Sequence, residues 1–243
     1  MCELKANTRA ILSGRRGARR ADLSDDTERF RPDTAARGQV RRAEKVGSHE
    51  TVALFVGRDS ELKGLEFAIH GLSVAARLGS SELRLWILGD GNVRKYEEMA
   101  ARAGVAERVR FFGNRVDIER YYQAADLFVL PTLCETFCRA AHEAAACGVP
   151  VVATRVDGVT DWSAKSGAGE LVERDAASVG GALARLAADP NRRAGSATKA
   201  ESAVSRAPSS ARSPHSLPST TNFSPTRRRG SSQARRRGGY AAA

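Results

Sequence analysis

The chain is short of aromatic residues, which fill only 6% of its 243 positions although 42% are hydrophobic. A core with so few rings must be built from small aliphatic side chains, and at this length it makes one folded unit with tails rather than two full domains. Cysteine is equally sparse. Cys2, Cys134, Cys138 and Cys147 show no C-x-x-C spacing and have only His142 nearby. Small buried thiols in a reducing compartment are therefore expected, not a structural metal or a disulfide framework. Among the first thirty residues the only apolar run is Ala10-Ile11-Leu12, far short of a secretory leader, and no stretch approaches the ~20 apolar residues of a membrane span. A cytoplasmic protein is expected, with a peripheral position at the inner membrane face left open by its basic tail.

Acidic residues are nearly missing from the end of the chain. Residues 191–243 hold 11 Lys or Arg against Glu201 alone, a balance of +10, whereas residues 1–190 hold 28 against 27, a balance of +1. The formal charge of +11 therefore belongs to the tail, and the body offers no broad basic surface for nucleic acid. The tail is Ser, Arg, Pro and Ala, with the runs Arg227-Arg228-Arg229 and Arg235-Arg236-Arg237. Low hydrophobicity with charge of one sign cannot repay the entropy of ordering, so residues 191–243 are expected to be disordered, with only non-specific anionic contacts. Their composition breaks abruptly from what precedes, as a shifted reading frame would also make it do.

What is present between them is an alternation. "TVALFVG" (51–57), "LRLWILG" (83–89), "RVRFFG" (108–113), "DLFVLP" (126–131), "PVVAT" (150–154) and "GELVE" (169–173) read as strands, separated by longer segments of helical period. Such an order writes a doubly wound, Rossmann-like α/β domain with a parallel sheet over residues 51–190. Residues 1–50 read as an Arg-rich amino-terminal segment followed by a linker.

In open sheets of this kind ligands sit beyond the carboxyl ends of the strands. After the first strand "GRDSELKG" places Arg58 and Lys63 at the mouth of the sheet, two cations that suit a diphosphate and that are equally ordinary as surface charges. After the second, "LGDGNVRK" offers Gly89 and Gly91 but no third glycine. This is a poor dinucleotide fingerprint, so the glycines read as a tight turn. The segment "LCETFCRAAHEAAACGVPVVAT" (133–154) is more informative. A helix starting near Phe137 would bury Phe137, Ala140, Ala141, Ala144 and Ala145 on one face and end at Gly148. Glu143 then lies inside the helix and Glu135 in the loop before it, at most about 12 Å away along the axis. Either acid alone is accounted for by the helix dipole or by a solvent-facing position.

Taken in order, "LFVGRDSELKG", "LRLWILGDG", "RVRFFG", "YYQAADLFVLPT", the E-x(7)-E of "ETFCRAAHE", "ACGVPVVAT" and Asp157-Gly158 resemble the carboxyl-terminal half of the retaining, nucleotide-sugar-dependent glycosyltransferases of family 4, with the GT-B fold. "DTERFRP" (26–32) resembles the linker between that family's two domains. The resemblance implies transfer of a glycosyl group from a nucleotide-diphospho-sugar to an unknown acceptor with retention, and no metal. It implies that Arg58 and Lys63 grip the donor diphosphate, Glu143 the ribose hydroxyls and Glu135 the transferred sugar. The backbone of Thr136, Phe137, Cys138 and Arg139 would meet sugar hydroxyls or phosphate. The family usually has glycine where this chain has Cys138, so a Cβ and a sulfur must fit there or the loop must shift. The acceptor-binding domain is expected to be absent from this chain. A nucleotide-sugar-binding fragment without turnover and a basic nucleic-acid-binding protein stay open as alternatives, and a sugar epimerase of the same fold is disfavoured by the E-x(7)-E context.

Overall fold

A computed structural model of the protein describes residues 28–206 apart from 59, 136, 161–162 and 164–166. Its elements run α1 (Thr34–Ala43), β1 (Thr51–Val56), α2 (Leu65–Arg77), β2 (Leu83–Leu88), α3 (Val93–Arg102), β3 (Val109–Gly113), α4 (Ile118–Ala124), β4 (Leu127–Leu130), α5 (Arg139–Ala146), β5 (Val151–Thr154), β6 (Gly169–Val172), α6 (Ala176–Ala188) and α7 (Pro190–Arg206). The six strands form one parallel sheet in the order β3-β2-β1-β4-β5-β6, so the expected doubly wound fold is the observed one.

The sequence pattern explains the layering. β1, β4 and β5 are buried along almost their whole lengths, as continuous apolar runs must be when helices cover both faces of a sheet. The edge strands β3 and β6 are only half buried. α2 packs against α3 and α6, while α4 packs against α1 and α5. The few aromatic rings are concentrated: Trp86, Phe112 and Tyr121 meet with centroids 4.9–6.0 Å apart under the β2–β3 end of the sheet, and small side chains fill most of the rest.

The order reverses between β1 and β4. From β1 the chain winds outward through β2 and β3, and from β4 it winds the other way through β5 and β6. The loops leaving the carboxyl ends of these two neighbouring strands therefore diverge and open a crevice between them.

The flanks depart from the sequence reading in two places. The segment before Thr51 contains α1, whose first turn is capped by Asp33 Oδ1 accepting from the Ala36 amide at 2.9 Å. Arg37 and Arg41 on this helix donate to the two carboxylate oxygens of Asp126 at 2.5 and 2.9 Å, and the Val52 amide donates to the same carboxylate at 2.8 Å. These arginines are thus internal struts between the amino-terminal segment and the entrance of β4. The tail, expected to be disordered from residue 191, begins instead as α7. Ala200 on that helix is fully buried with Ala145 and Ala168, and the Arg193 guanidinium donates to the Leu186 and Ala187 carbonyls at 2.7 and 2.6 Å, capping the end of α6. A low hydrophobic average hid a helix that docks through a buried alanine and through arginine contacts; the arginine runs beyond residue 206 lie outside the described residues.

Removing the carboxylate in Asp126→Ala leaves two guanidinium groups and the Val52 amide without their shared acceptor. The expected loss is about 2–4 kcal/mol of unfolding free energy, measured by urea denaturation. A loss under about 0.5 kcal/mol, the level of an ordinary surface substitution, would show that α1 is not braced in this way.

Candidate functional site

The crevice between β1 and β4 is a cleft of about 310 Å³ lined by Arg58, Lys63, Glu135, Cys138, Arg139 and Glu143 from among the residues singled out in the sequence. They arrive on three segments. Arg58, exposed, and Lys63 come from the loop after β1. The Lys63 stem lies over Gly57, where an added Cβ would meet its Cγ at 2.9 Å. Glu135 comes from the loop after β4, and Arg139 and Glu143 come from α5.

Backbone contacts fix how these segments face one another. The Leu133 amide donates to the Leu62 carbonyl at 2.9 Å, and the Thr154 hydroxyl donates to the Thr132 carbonyl at 2.5 Å. Arg174 joins a third segment by donating to the Pro131 carbonyl at 3.2 Å and the Glu61 carbonyl at 2.8 Å, with its guanidinium stacked over Phe67. Lys63 consequently meets Glu135 in an ion pair whose side chains are only 23% and 11% exposed. Arg174 was not legible as a site residue, because its role depends on carbonyls more than forty positions away.

Helix α5 begins two residues later than its periodicity predicts. Cys138 holds φ +56°, in the left-handed region, so no right-handed turn can pass through it. The cysteine adopts the conformation that glycine occupies without strain, and its sulfur is accommodated because the residue is 3% exposed. Burial, with Glu135 nearby as the lesser cause, pushes the Cys138 thiol up to about 12, so it is an inert packing group at neutral pH. The preceding loop is held by Gly158, also left-handed, where a Cβ would strike the Phe137 carbonyl oxygen at 2.1 Å. Phe137 is half buried and does not line the cleft; it stacks on His142 with centroids 4.4 Å apart. Thr136 lies outside the described residues. Of the face expected to be buried, Ala141, Ala144 and Ala145 are fully buried, while Phe137 and Ala140 are partly so.

The solvent-facing alternative for Glu143 is overturned. Its residue is 8% exposed, Tyr122 donates to Oε2 at 3.0 Å, and Arg139 Nε donates to Oε1 at 2.8 Å. A carboxylate so placed on an apolar helix needs these partners to offset desolvation. Tyr122 is itself fully buried, and burial followed by the Glu143 charge raises its hydroxyl well above the usual range, which keeps it a donor.

Two lining residues escaped the sequence reading, Asn114 and Arg115 after β3. Arg115 is aimed by Asp117, which accepts from it at 3.1 and 3.3 Å, and by the face of Tyr121. Its signal was present in "FFGNR", directly after a strand, yet a single arginine there reads as an ordinary surface charge. Gly89 contributes backbone to the same wall at φ +131°, with a Cβ position only 1.9 Å from the Gly57 oxygen. The G-x-G is thus a close-packing turn between β1 and β2. Among the described residues no group of three His, Cys, Asp or Glu side chains is placed to hold a metal ion.

The family model for glycosyl transferases group 1 matches residues 50–189. The chain belongs to this family. Among similar proteins, a D-inositol 3-phosphate glycosyltransferase of Corynebacterium urealyticum is 33% identical over 179 residues, 69% of this chain and 42% of that protein. An uncharacterized glycosyltransferase of Methanocaldococcus jannaschii is 36% identical over 124 residues, 50% of this chain and 31% of that one. The structure of Anabaena HepE in complex with UDP and glucose superposes with a TM-score of 0.67 at 23% identity, over 74% of this chain and 50% of that chain, a likeness of fold. The chain thus spans less than half the length of each of these two curated relatives. Among its described residues no helix is long and apolar enough to cross a membrane.

Burial lowers the His142 pKa from its ordinary 6.5, against a smaller opposing effect of the Cys138 carbonyl. The folded domain therefore binds that proton less readily than the unfolded chain, and stability must fall as pH drops through about 6.5. In His142→Leu this contribution disappears. Between pH 7.5 and 5.5 the wild type is expected to lose more unfolding free energy than the variant in parallel urea titrations; equal losses would show that the ring does not titrate differently on folding.

Proposed function

We propose that the chain is the donor-binding part of a retaining family 4 glycosyltransferase and takes a nucleotide-diphospho-sugar into the β1/β4 crevice. The observation that carries this reading is the convergence of Arg58, Lys63, Glu135, Arg139 and Glu143, which come from three separate segments, on one cleft. HepE, similar in fold, is described in complex with UDP and glucose, which makes uracil the first base to test.

In this reading the diphosphate lies by Arg58, Lys63 and the amino-terminal amides of α5. Glu143, held from behind by Tyr122, accepts from ribose hydroxyls. Glu135 turns from Lys63 toward a hydroxyl of the transferred sugar. As the glycosidic bond breaks, negative charge grows on the leaving diphosphate, and cations and amide dipoles already in place stabilise it without having to reorganise. The Corynebacterium relative is named for D-inositol 3-phosphate, so a phosphorylated polyol is the first acceptor to try.

Calorimetric titration of the full chain with UDP and other nucleoside diphosphates tests the reading. Arg58→Ala should weaken UDP binding by about 10–100-fold, the loss of one charge-assisted hydrogen bond. Glu143→Gln should weaken uridine and UDP by similar factors, because both carry the ribose. Absence of binding by every nucleoside diphosphate at millimolar concentration would overturn the proposal.

A further inference from the structure

The Arg139 side chain is committed to the very carboxylate on which ribose recognition would depend. Arg139 and Glu143 are one helical turn apart, with Nε donating to Oε1 at 2.8 Å, but their environments differ: the Arg139 side chain is 56% exposed and the Glu143 side chain 9%. The carboxylate is also held at Oε2 by the buried Tyr122. If one partner moves, it is the guanidinium. The exposed guanidinium can leave for another anion only if incoming donors take its place on the buried carboxylate, and ribose hydroxyls are such donors.

Ribose hydroxyls entering the cleft need an acceptor oxygen, and Oε1 is already engaged by Arg139. A bare nucleoside competes with the guanidinium for Oε1 and offers it nothing in return. A nucleoside diphosphate brings a new partner with it, because its phosphates carry charge to the start of α5, where Arg139 is the first helical residue. The other cations of the cleft that have acidic partners, Lys63 with Glu135 and Arg115 with Asp117, are paired to groups other than Glu143. Among the described cations that line the cleft, Arg139 is the one seen paired with Glu143.

We propose that Arg139 exchanges Glu143 for the diphosphate when the donor binds, so that one movement exposes the ribose acceptor and adds a third cation to the leaving group. The cleft then discriminates against nucleosides that lack phosphates. This inference rests on the donor-site reading above and assigns to the Arg139 side chain a role beyond its backbone position.

The test is titration of the full chain and of its Arg139→Gln and Arg139→Lys variants with uridine and with UDP, thermal melting confirming that each is folded. Arg139→Gln should bind uridine several-fold more tightly and UDP about tenfold more weakly, the loss of a charge-assisted contact. Arg139→Lys should recover most of the UDP affinity, since a point charge still meets phosphate. Shifts of uridine and UDP affinity in the same direction, or none in either, would overturn the exchange, because they would leave Arg139 as a support or a blocker of Glu143 only. Failure of the wild type to bind UDP would remove the donor-site reading itself and the exchange with it. Wild-type UDP binding with an unchanged UDP-to-uridine ratio in Arg139→Gln would remove the exchange alone.

Discussion

The hydrogen bond from the Leu133 amide to the Leu62 carbonyl, 2.9 Å long, is the constraint on which the cleft depends. It fastens the loop after β1 to the loop after β4 at the one place where the sheet order reverses and the loops would otherwise diverge. Lys63 and Glu135 are each within two positions of that bond, which is why an ion pair spanning 72 residues of chain can form between them. Arg174 reinforces the joint by reaching the Pro131 and Glu61 carbonyls. Backbone groups at loop ends must find partners when they are withdrawn from water. Here that requirement also sets the spacing of the chemistry.

Behind the cleft a second tier of contacts reaches the amino-terminal segment. Phe30 packs edge-on against Tyr122 with centroids 5.8 Å apart, and Tyr122 in turn holds Glu143. Arg29 donates to the Val116 carbonyl and to Glu119 at the start of α4, next to the loop that carries Arg115. A segment read from the sequence as linker therefore buttresses two walls of the cleft. Arg37 and Arg41 are partly withdrawn from solvent, their donors taken up by carbonyls and by Asp126, a use of arginine that composition alone presents as basic surface.

The arrangement matches acids to bases one by one. Of the four cations that line the cleft, Lys63 meets Glu135, Arg139 meets Glu143 and Arg115 meets Asp117. The acids of the Lys63 and Arg139 pairs are the more buried partners, so the bases are the groups able to turn toward solvent.

The apolar runs of β1, β2, β4 and β5 and the intervening helical periods were sufficient to write the doubly wound sheet, because burial on both faces leaves a continuous hydrophobic signature. That Arg58, Lys63, Glu135 and Glu143 share one cleft was likewise legible, since clefts in such sheets open beyond strand ends and a resemblance supplied their spacing. Local patterns could not show that α5 starts only at Arg139, because the left-handed turn at Cys138 is imposed by its packing and not by its residue type. Nor could they show that Glu143 is buried between Tyr122 and Arg139, that α7 docks through Ala200, or that Arg174 and Arg115 serve the cleft. Each of these depends on partners distant in the chain, and a hydrogen-bond donor or a small side chain acquires its meaning only when folding brings the acceptor or the matching surface to it.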